Sequence, residues 1–335
     1  MKLNPIAITM GCPAGIGPEI IIKALSSLQI DTPVIVIGDI NILKRAKKLL
    51  SIDIEIKALE KVTELSAHKK NQINCLSVTD LSSEKVPFGM PTELTGSASF
   101  SYITEGIKLC QKGLLSALVT APISKIGLKK AGIDFPGHTE ILAHMTGTKN
   151  YIMMMAGKKL KVTLVTIHCP LKDVPNLINE NKVLDTIKIT HASLKKDFGI
   201  KRPKLALCGL NPHAGENGMF GTEEIEILDP ACNRAKEMGI DIKGPLPPDT
   251  VFFYALKGNY DAVICLYHDQ GLIPFKLLHF EDGVNVTLGL PIVRTSVDHG
   301  TAYDIAGTGK AKPDSLLSAI DLAALISKNR QRATY

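Results

Sequence analysis

The feature that most constrains this chain is an alternation between short runs rich in isoleucine and valine and longer segments whose apolar residues recur at helical spacing. Short β-branched runs read as buried strands and the amphipathic segments between them as helices, the pattern of an α/β protein with a substantial parallel sheet. Strands are predicted over residues 6–10, 34–37, 117–120, 160–167, 205–210 and 262–267. Helices are predicted over 18–28, 40–50, 97–112, 181–197, 223–238 and 316–328. A chain of 335 residues has room for about two domains. No linker or repeat separates one half from the other, so a division in two is expected to use interleaved segments.

Composition excludes several classes. Hydrophobic residues make up 45% and charged residues 21%, as in folded globular chains. No apolar run approaches the roughly 18 residues needed to span a bilayer, so no membrane partner is expected. The start, MKLNPIAITMG, has no long apolar region ahead of a small-residue cleavage site, which predicts a cytoplasmic protein. Seven cysteines stand singly with no CxxC pair, against a disulfide framework or a cysteine zinc site. Cys110, Cys208 and Cys265 lie in apolar stretches and read as small core residues. The net charge of +6 comes from scattered lysines without interleaved aromatics, which argues against nucleic acid and fits an anionic small substrate.

Polar residues concentrate between 267 and 313, YHDQGLIPFKLLHFEDGVNVTLGLPIVRTSVDHGTAYDIAGTGKAKP, where repeated glycines and prolines predict loops presenting side chains to a ligand. Upstream, GCPAGIGPE at 11–19 follows a strand and places Pro18 in the first turn of a helix. That loop reads either as a tight turn or as an anion site; it is neither a Walker loop nor GxGxxG, and Cys12 has no visible base beside it. In FPGHTEILAHM at 135–145, His138 and Thr139 stand where a helix begins, so they either grip an anion or, for Thr139, merely cap the helix. His144 reads as a packed or surface residue.

His168, His213 and His268 each stand at or just past the carboxyl end of a predicted strand, the edge of an open α/β sheet where ligands bind. Neutral imidazoles from three such positions can ligate one divalent ion and leave room for substrate oxygen. Asp249, and Asp269 beside His268, are the acids able to orient an imidazole. Each histidine alone reads more readily as a hydrogen-bonded structural residue, and it is the three in matching positions that bring the metal reading level with it.

At this point the motifs become recognisable. GLNPHAGE (209–216), GPLPPDT (244–250), YHDQGLIPFK (267–276) and VNVTLGLPIVRTSVDHGTA (284–302) resemble, in order, the 4-hydroxythreonine-4-phosphate dehydrogenase family of pyridoxal phosphate biosynthesis. The likeness runs from MGCPAGIGPE to the last helix. It implies an isocitrate/isopropylmalate dehydrogenase-like fold, mostly parallel, with two interleaved α/β subdomains: 1–130 with 280–335, and 131–279 carrying metal binding and dimerisation. It also implies a homodimer with the active site at the subunit interface, NAD as cofactor with NADP left open, and one divalent metal (zinc, magnesium or cobalt) per subunit.

Carried over residue by residue, the resemblance assigns the metal to His168, His213 and His268, with His268 supplied by the partner subunit. Substrate-binding positions fall on His138, Thr139, Lys276, Asn285 and Arg294, and the catalytic assignments are Lys276 and Asp249. The segment 299–313 is similar to the loop that holds the adenosine end of the dinucleotide, which gives the cofactor His299, Gly300, Thr301, Ala302 and Asp304. Most relatives carry an acid where this chain has Cys12, a departure that bears on the first glycine loop alone.

The implied reaction is oxidation of 4-phosphooxy-L-threonine to 2-amino-3-oxo-4-phosphooxybutanoate, then decarboxylation to 3-amino-2-oxopropyl phosphate. Arg294 suits bidentate binding of carboxylate or phosphate, Lys276 a point charge or proton transfer, and Asn285 a mixed donor and acceptor. Three rivals stay open: a relative oxidising D-threonate or D-erythronate 4-phosphate, a metal-dependent hydrolase without a dinucleotide, and a non-catalytic binding protein.

Overall fold

The computed structural model describes residues 4–28, 32–65 and 71–333. The chain begins with β1 (Ile6–Thr9), α1 (Gly17–Ser27), β2 (Val34–Gly38), α2 (Ile40–Leu50), β3 (Glu55–Leu59), β4 (Gln72–Ser77), α3 (Glu93–Gln111), β5 (Ala117–Thr120), α4 (Lys125–Lys130) and α5 (His138–Thr146). It continues through β6 (Ile152–Ala156), β7 (Lys161–Leu164), α6 (Val174–Leu177), α7 (Glu180–Lys196), β8 (Lys204–Cys208), α8 (Asp229–Glu237), β9 (Asp241–Leu246), α9 (Pro248–Leu256), β10 (Ala262–Cys265), α10 (His268–His279) and β11 (Val284–Leu288). It closes with β12 (Arg294–Val297) and α11 (Asp314–Ala333).

These elements form two compact units, Met1–Lys149 with Leu290–Lys328, and Asn150–Gly289 with Asn329–Tyr335. In the first, the strand order is β3-β4-β2-β1-β5-β12 and every pairing is parallel. β1 and β2 are buried along their whole length, which is why they read as unbroken apolar runs and not as alternating ones. Asp39 caps α2 by accepting from the N–H groups of Asn41 and Ile42, and Thr92 with Thr95 forms a capping box at the start of α3.

In the second unit the order is β11-β6-β7-β10-β8-β9, where β6 runs antiparallel to both neighbours and the remaining pairs are parallel. Its core joins Val162 and Leu164 of β7, Ala206 of β8, Val263 of β10 and Phe275 of α10. The changes of unit fall after Lys149 and Gly289, where the sequence predicted residues 130 and 279. Residues 131–149 stay with the first unit because α5 packs on α3, with the Phe100 and Phe135 rings 6.4 Å apart and Gln111 donating to the Met145 carbonyl at 2.9 Å. Residues 280–289 stay with the second because β11 pairs with β6 from Val284 opposite Ala156 to Leu288 opposite Ile152.

The stretch 267–313, predicted as loops, holds α10, β11 and β12. Gly271 and Pro274 inside α10 argue against a helix locally, but Leu272 and Phe275 are 6% and 0% exposed. Burying two large apolar side chains outweighs the local preference. The predicted helix 223–238 also divides: a single π-type turn, Glu224–Leu228, precedes α8. Among the described residues no helix is long and apolar enough to cross a membrane.

Candidate functional site

In the first unit, the glycine loop after β1 and the segment after β12 are held against each other by backbone groups. The Ile16 N–H donates to the Thr301 carbonyl at 3.1 Å. The approach is close at Gly15, where a Cβ would stand 3.0 Å from the Thr301 oxygen. Glu19 in the first turn of α1 is 1% exposed, and its carboxylate accepts the N–H groups of Gly307 at 2.6 Å and Gly309 at 2.9 Å. One turn on, Lys23 donates to the carbonyls of Gly309 at 2.5 Å and Ala311 at 2.7 Å. A carboxylate on two amides and an ammonium on two carbonyls give the segment a defined path with its own polar groups satisfied.

That path carries His299, Gly300, Thr301, Ala302 and Asp304 in sequence, with Ala302 in the left-handed region at φ 42 and His299 Nδ1 3.1 Å from the Gly300 carbonyl. Cys12 is 1% exposed, and its sulfur accepts the Tyr303 hydroxyl at 3.3 Å. Burial and the neighbouring Cys12 push the Tyr303 phenol above its usual range.

A second polar group in this unit surrounds Arg294, the first residue of β12. Its guanidinium is buried at 3% exposure and donates to Thr120 Oγ1 at 2.8 Å. Burial lowers its pKa from 12.5 to about 10, with Glu140 pulling the other way. His138 opens α5, and burial, then the charge of Arg294, hold its pKa well below 6.5, so it is neutral at physiological pH. Its Nε2 is buried without a hydrogen-bond partner among the described residues. The N-cap of α5 is Gly137, with no side-chain cap bond, so Thr139 does not cap the helix. A buried cation, a helix N-terminus and an imidazole with an unmet nitrogen all favour a negatively charged ligand.

In the second unit, Val165 and Thr166 extend the pairing of β7 by donating to the carbonyls of Cys265 and Leu266, and the chain then bends to present His168. His268 is the first residue of α10. The two rings lie 5.7 Å apart at 40° on the wall of a cleft of about 610 Å³, which Cys169, Pro170, Tyr267 and Asp269 also line. His268 Nδ1 is 2.6 Å from Asp269 Oδ1, the geometry of an Nδ1–H donor, so in the neutral ring the lone pair is on Nε2. Asp269 is thus the acid found on an imidazole, while Asp249 is exposed in the first turn of α9.

His213 is exposed and does not line that cleft; it begins a turn against which α9 packs. Among the described residues no group of three or more His, Cys, Asp or Glu in one chain could hold a metal. The resemblance assigned His268 to the partner subunit, yet within one chain it is His168 and His268 that stand together. Lys276 lies on α10 with Nζ 5.7 Å from the Phe280 ring centre, and Asn285 lies on β11 opposite Met155. Of the substrate positions, therefore, His138, Thr139 and Arg294 belong to the first unit and Lys276 and Asn285 to the second. Glu19, Lys23, Thr120 and Glu140 were not singled out from sequence; a GxxxE register just after a strand was the one signal, and it is shared with any helix N-terminus.

Residues 29–323 match the family described as pyridoxal phosphate biosynthetic protein PdxA. A 4-hydroxythreonine-4-phosphate dehydrogenase from Desulforapulum autotrophicum is 49% identical over 325 residues, 96% of this chain and 94% of the relative. A protein from Oceanobacillus iheyensis named for D-threonate 4-phosphate dehydrogenase is 46% identical over 327 residues, covering 96% and 98%. The crystal structure of a 4-hydroxythreonine-4-phosphate dehydrogenase from Klebsiella pneumoniae superimposes with a TM-score of 0.90 at 43% identity, covering 97% of this chain and 98% of that one. The mostly parallel α/β class expected from the sequence is the observed one.

Proposed function

The chain belongs to the pyridoxal phosphate biosynthetic protein PdxA family, and on that premise we propose that it oxidises 4-phosphooxy-L-threonine at its secondary alcohol in a step that leads to 3-amino-2-oxopropyl phosphate. The observation that carries this reading is the end-to-end likeness to enzymes named for that substrate. It is an oxidoreductase acting on a CH–OH group.

His138, Thr139 and Arg294 are assigned to an anionic end of the substrate, because the buried guanidinium and the unmet imidazole nitrogen are stabilised by a phosphate or carboxylate. Lys276 and Asn285 are assigned to the remaining polar groups, with Lys276 as the group that moves a proton and Asp249, exposed in the first turn of α9, as the second catalytic assignment.

His168, His213 and His268 are the residues that would hold a divalent ion, in a homodimer. Fit is supported by His268, whose Nδ1 is occupied by Asp269 so that Nε2 is the donor, the arrangement of an oriented metal-binding imidazole. The chemistry that such an ion supplies when bound is Lewis acidity toward the alcohol and toward the charge left as carbon dioxide departs. The dinucleotide, NAD in this reading, supplies the hydride acceptor, and the path of 299–309 set by Glu19 and Lys23 is a preformed backbone for its adenosine end.

The relative named for D-threonate 4-phosphate gives a second reading, in which the same machinery takes a sugar-acid phosphate. Absorbance at the reduced-cofactor band, with 4-phosphooxy-L-threonine or D-threonate 4-phosphate, each with and without chelator, tests both. Chelator-sensitive turnover of the amino acid substrate is expected. Turnover of the sugar acid alone would replace the first reading with the second, and none with either would remove both.

A further inference from the structure

The turn that presents His213 carries a run of left-handed backbone. His213, Ala214, Glu216 and Asn217 all have positive φ, 53, 52, 43 and 56, with Gly215 among them at 79. A run of L-residues in the left-handed region is disfavoured because each Cβ crowds the following carbonyl, so surrounding contacts must hold it.

Those contacts converge on one buried carboxylate. Glu224 is 2% exposed and opens the π-type turn that replaces the expected start of the following helix. Its Oε1 accepts the N–H groups of Leu210 at 2.7 Å and Asn211 at 2.8 Å, and its Oε2 accepts from Asn211 Nδ2 at 2.9 Å. The glycines around it are fitted to that carboxylate. A Cβ on Gly215 would stand 2.7 Å from Oε2, and one on Gly209 would stand 3.2 Å from Oε1. From the other side Gln270 donates to the Gly209 carbonyl at 2.7 Å and accepts the Leu266 N–H at 2.7 Å, which joins the start of the His213 turn to the end of β10 just before His268.

We infer that Glu224 is a positioning residue for His213: its carboxylate fixes Leu210 and Asn211, and through them the left-handed turn that aims the imidazole. This rests on the reading of His213 as a metal ligand. The π-type turn is the device that makes it work, because the extra residue in that turn sets the Glu224 side chain under the loop.

The test uses the full-length protein stripped of metal and titrated with Co²⁺, read by visible absorption of the bound ion. Circular dichroism and thermal midpoint are followed alongside. Glu224→Gln puts an amide NH₂ where one oxygen accepted an N–H, and a folded variant is expected to bind Co²⁺ about 10- to 100-fold more weakly. Its kcat should recover toward the unaltered value as Co²⁺ is raised, which a general loss of structure would not allow. Asn211→Ala, which removes the side-chain bonds to Glu224 Oε2 and Glu223 Oε2 but leaves both backbone N–H bonds to Glu224 Oε1, is expected to weaken binding several-fold and serves if Glu224→Gln does not fold. Co²⁺ affinity unchanged in a folded variant overturns the inference. His213→Ala separates the two levels: if it binds Co²⁺ as tightly as the unaltered protein, the metal reading itself has failed, whereas lost binding in His213→Ala with intact binding in Glu224→Gln removes Glu224 alone.

Discussion

Replacing Arg294 by methionine separates what this side chain costs the fold from what it does in the site. The guanidinium is 3% exposed, and burial holds its pKa at about 10 instead of 12.5, with Glu140 offsetting only part of the effect. At about 1.4 kcal/mol for each tenfold change, that displacement corresponds to roughly 3 kcal/mol disfavouring the charged form in the folded chain. Because the folded pKa of a cation is lowered, the cost is fully present below about pH 10 and so applies in full at pH 7. The bond to Thr120 Oγ1 returns about 1 to 2 kcal/mol.

Methionine fills a similar volume without charge, so Arg294→Met is expected to be as stable as the unaltered protein or up to about 2 kcal/mol more stable in urea unfolding. Activity should move the opposite way. Two charge-assisted bonds to a phosphate or carboxylate, at about 1.5 to 3 kcal/mol each, amount to a fall in kcat/KM of about 10² to 10⁴. Inorganic phosphate should raise the thermal midpoint of the unaltered protein and leave that of the variant unmoved. A loss of more than about 2 kcal/mol of stability would make Arg294 a structural residue and refute the separation. Unchanged kcat/KM would take it out of the site.

Two further outcomes follow from the same unit. Glu19→Gln keeps the shape of the side chain but can accept only one of the two N–H groups of Gly307 and Gly309, so KM for NAD is expected to rise about 10-fold while KM for the phosphorylated substrate stays within about twofold. Initial rates with each substrate varied would show it, and an unchanged KM for NAD would detach the 299–309 path from the cofactor. His138, whose folded pKa lies well below 6.5 through burial and Arg294, takes up its proton in the unfolded chain first. Stability should therefore fall as pH drops below about 6.5, by up to about 1.4 kcal/mol per pH unit, and His138→Gln should show a shallower fall between pH 7.5 and 5.5 in urea unfolding. Equal slopes would mean that His138 is not held neutral by its surroundings.

The strands that carry the site were legible because fully buried parallel strands leave a plain signal. Residues 34–37 and 117–120 were predicted as strands and are β2 and β5 with almost the same bounds. What was not legible is where burial on one face reverses a local preference. The helix α10 contains Gly271 and Pro274, and β11 and β12 lie among glycines and prolines, so composition alone described that stretch as loops. Register decided it instead: β11 is a strand because five consecutive residues meet β6, a partner more than a hundred positions upstream.

The site divides along the same line. Side chains proposed to act through their own chemistry, the strand-end histidines and Arg294, stand out in a sequence because few structural roles need those residue types at those places. The carboxylates that hold the backbone do not. Glu19 and Glu224 each hold two peptide N–H groups, which every residue but proline supplies, so those contacts leave no mark in the residues held. Both are 2% exposed or less, and both stand at the start of a turn of helix, where an acid is already expected for the helix dipole. A buried acid with two backbone donors is costly to alter, because the donors lose their acceptor along with it. The expectation is that Glu19 and Glu224 tolerate substitution less well than Lys276 or Asn285 in folding yet do so for the sake of a neighbouring loop, which is why a metal or cofactor affinity, and not stability alone, is the quantity that identifies them.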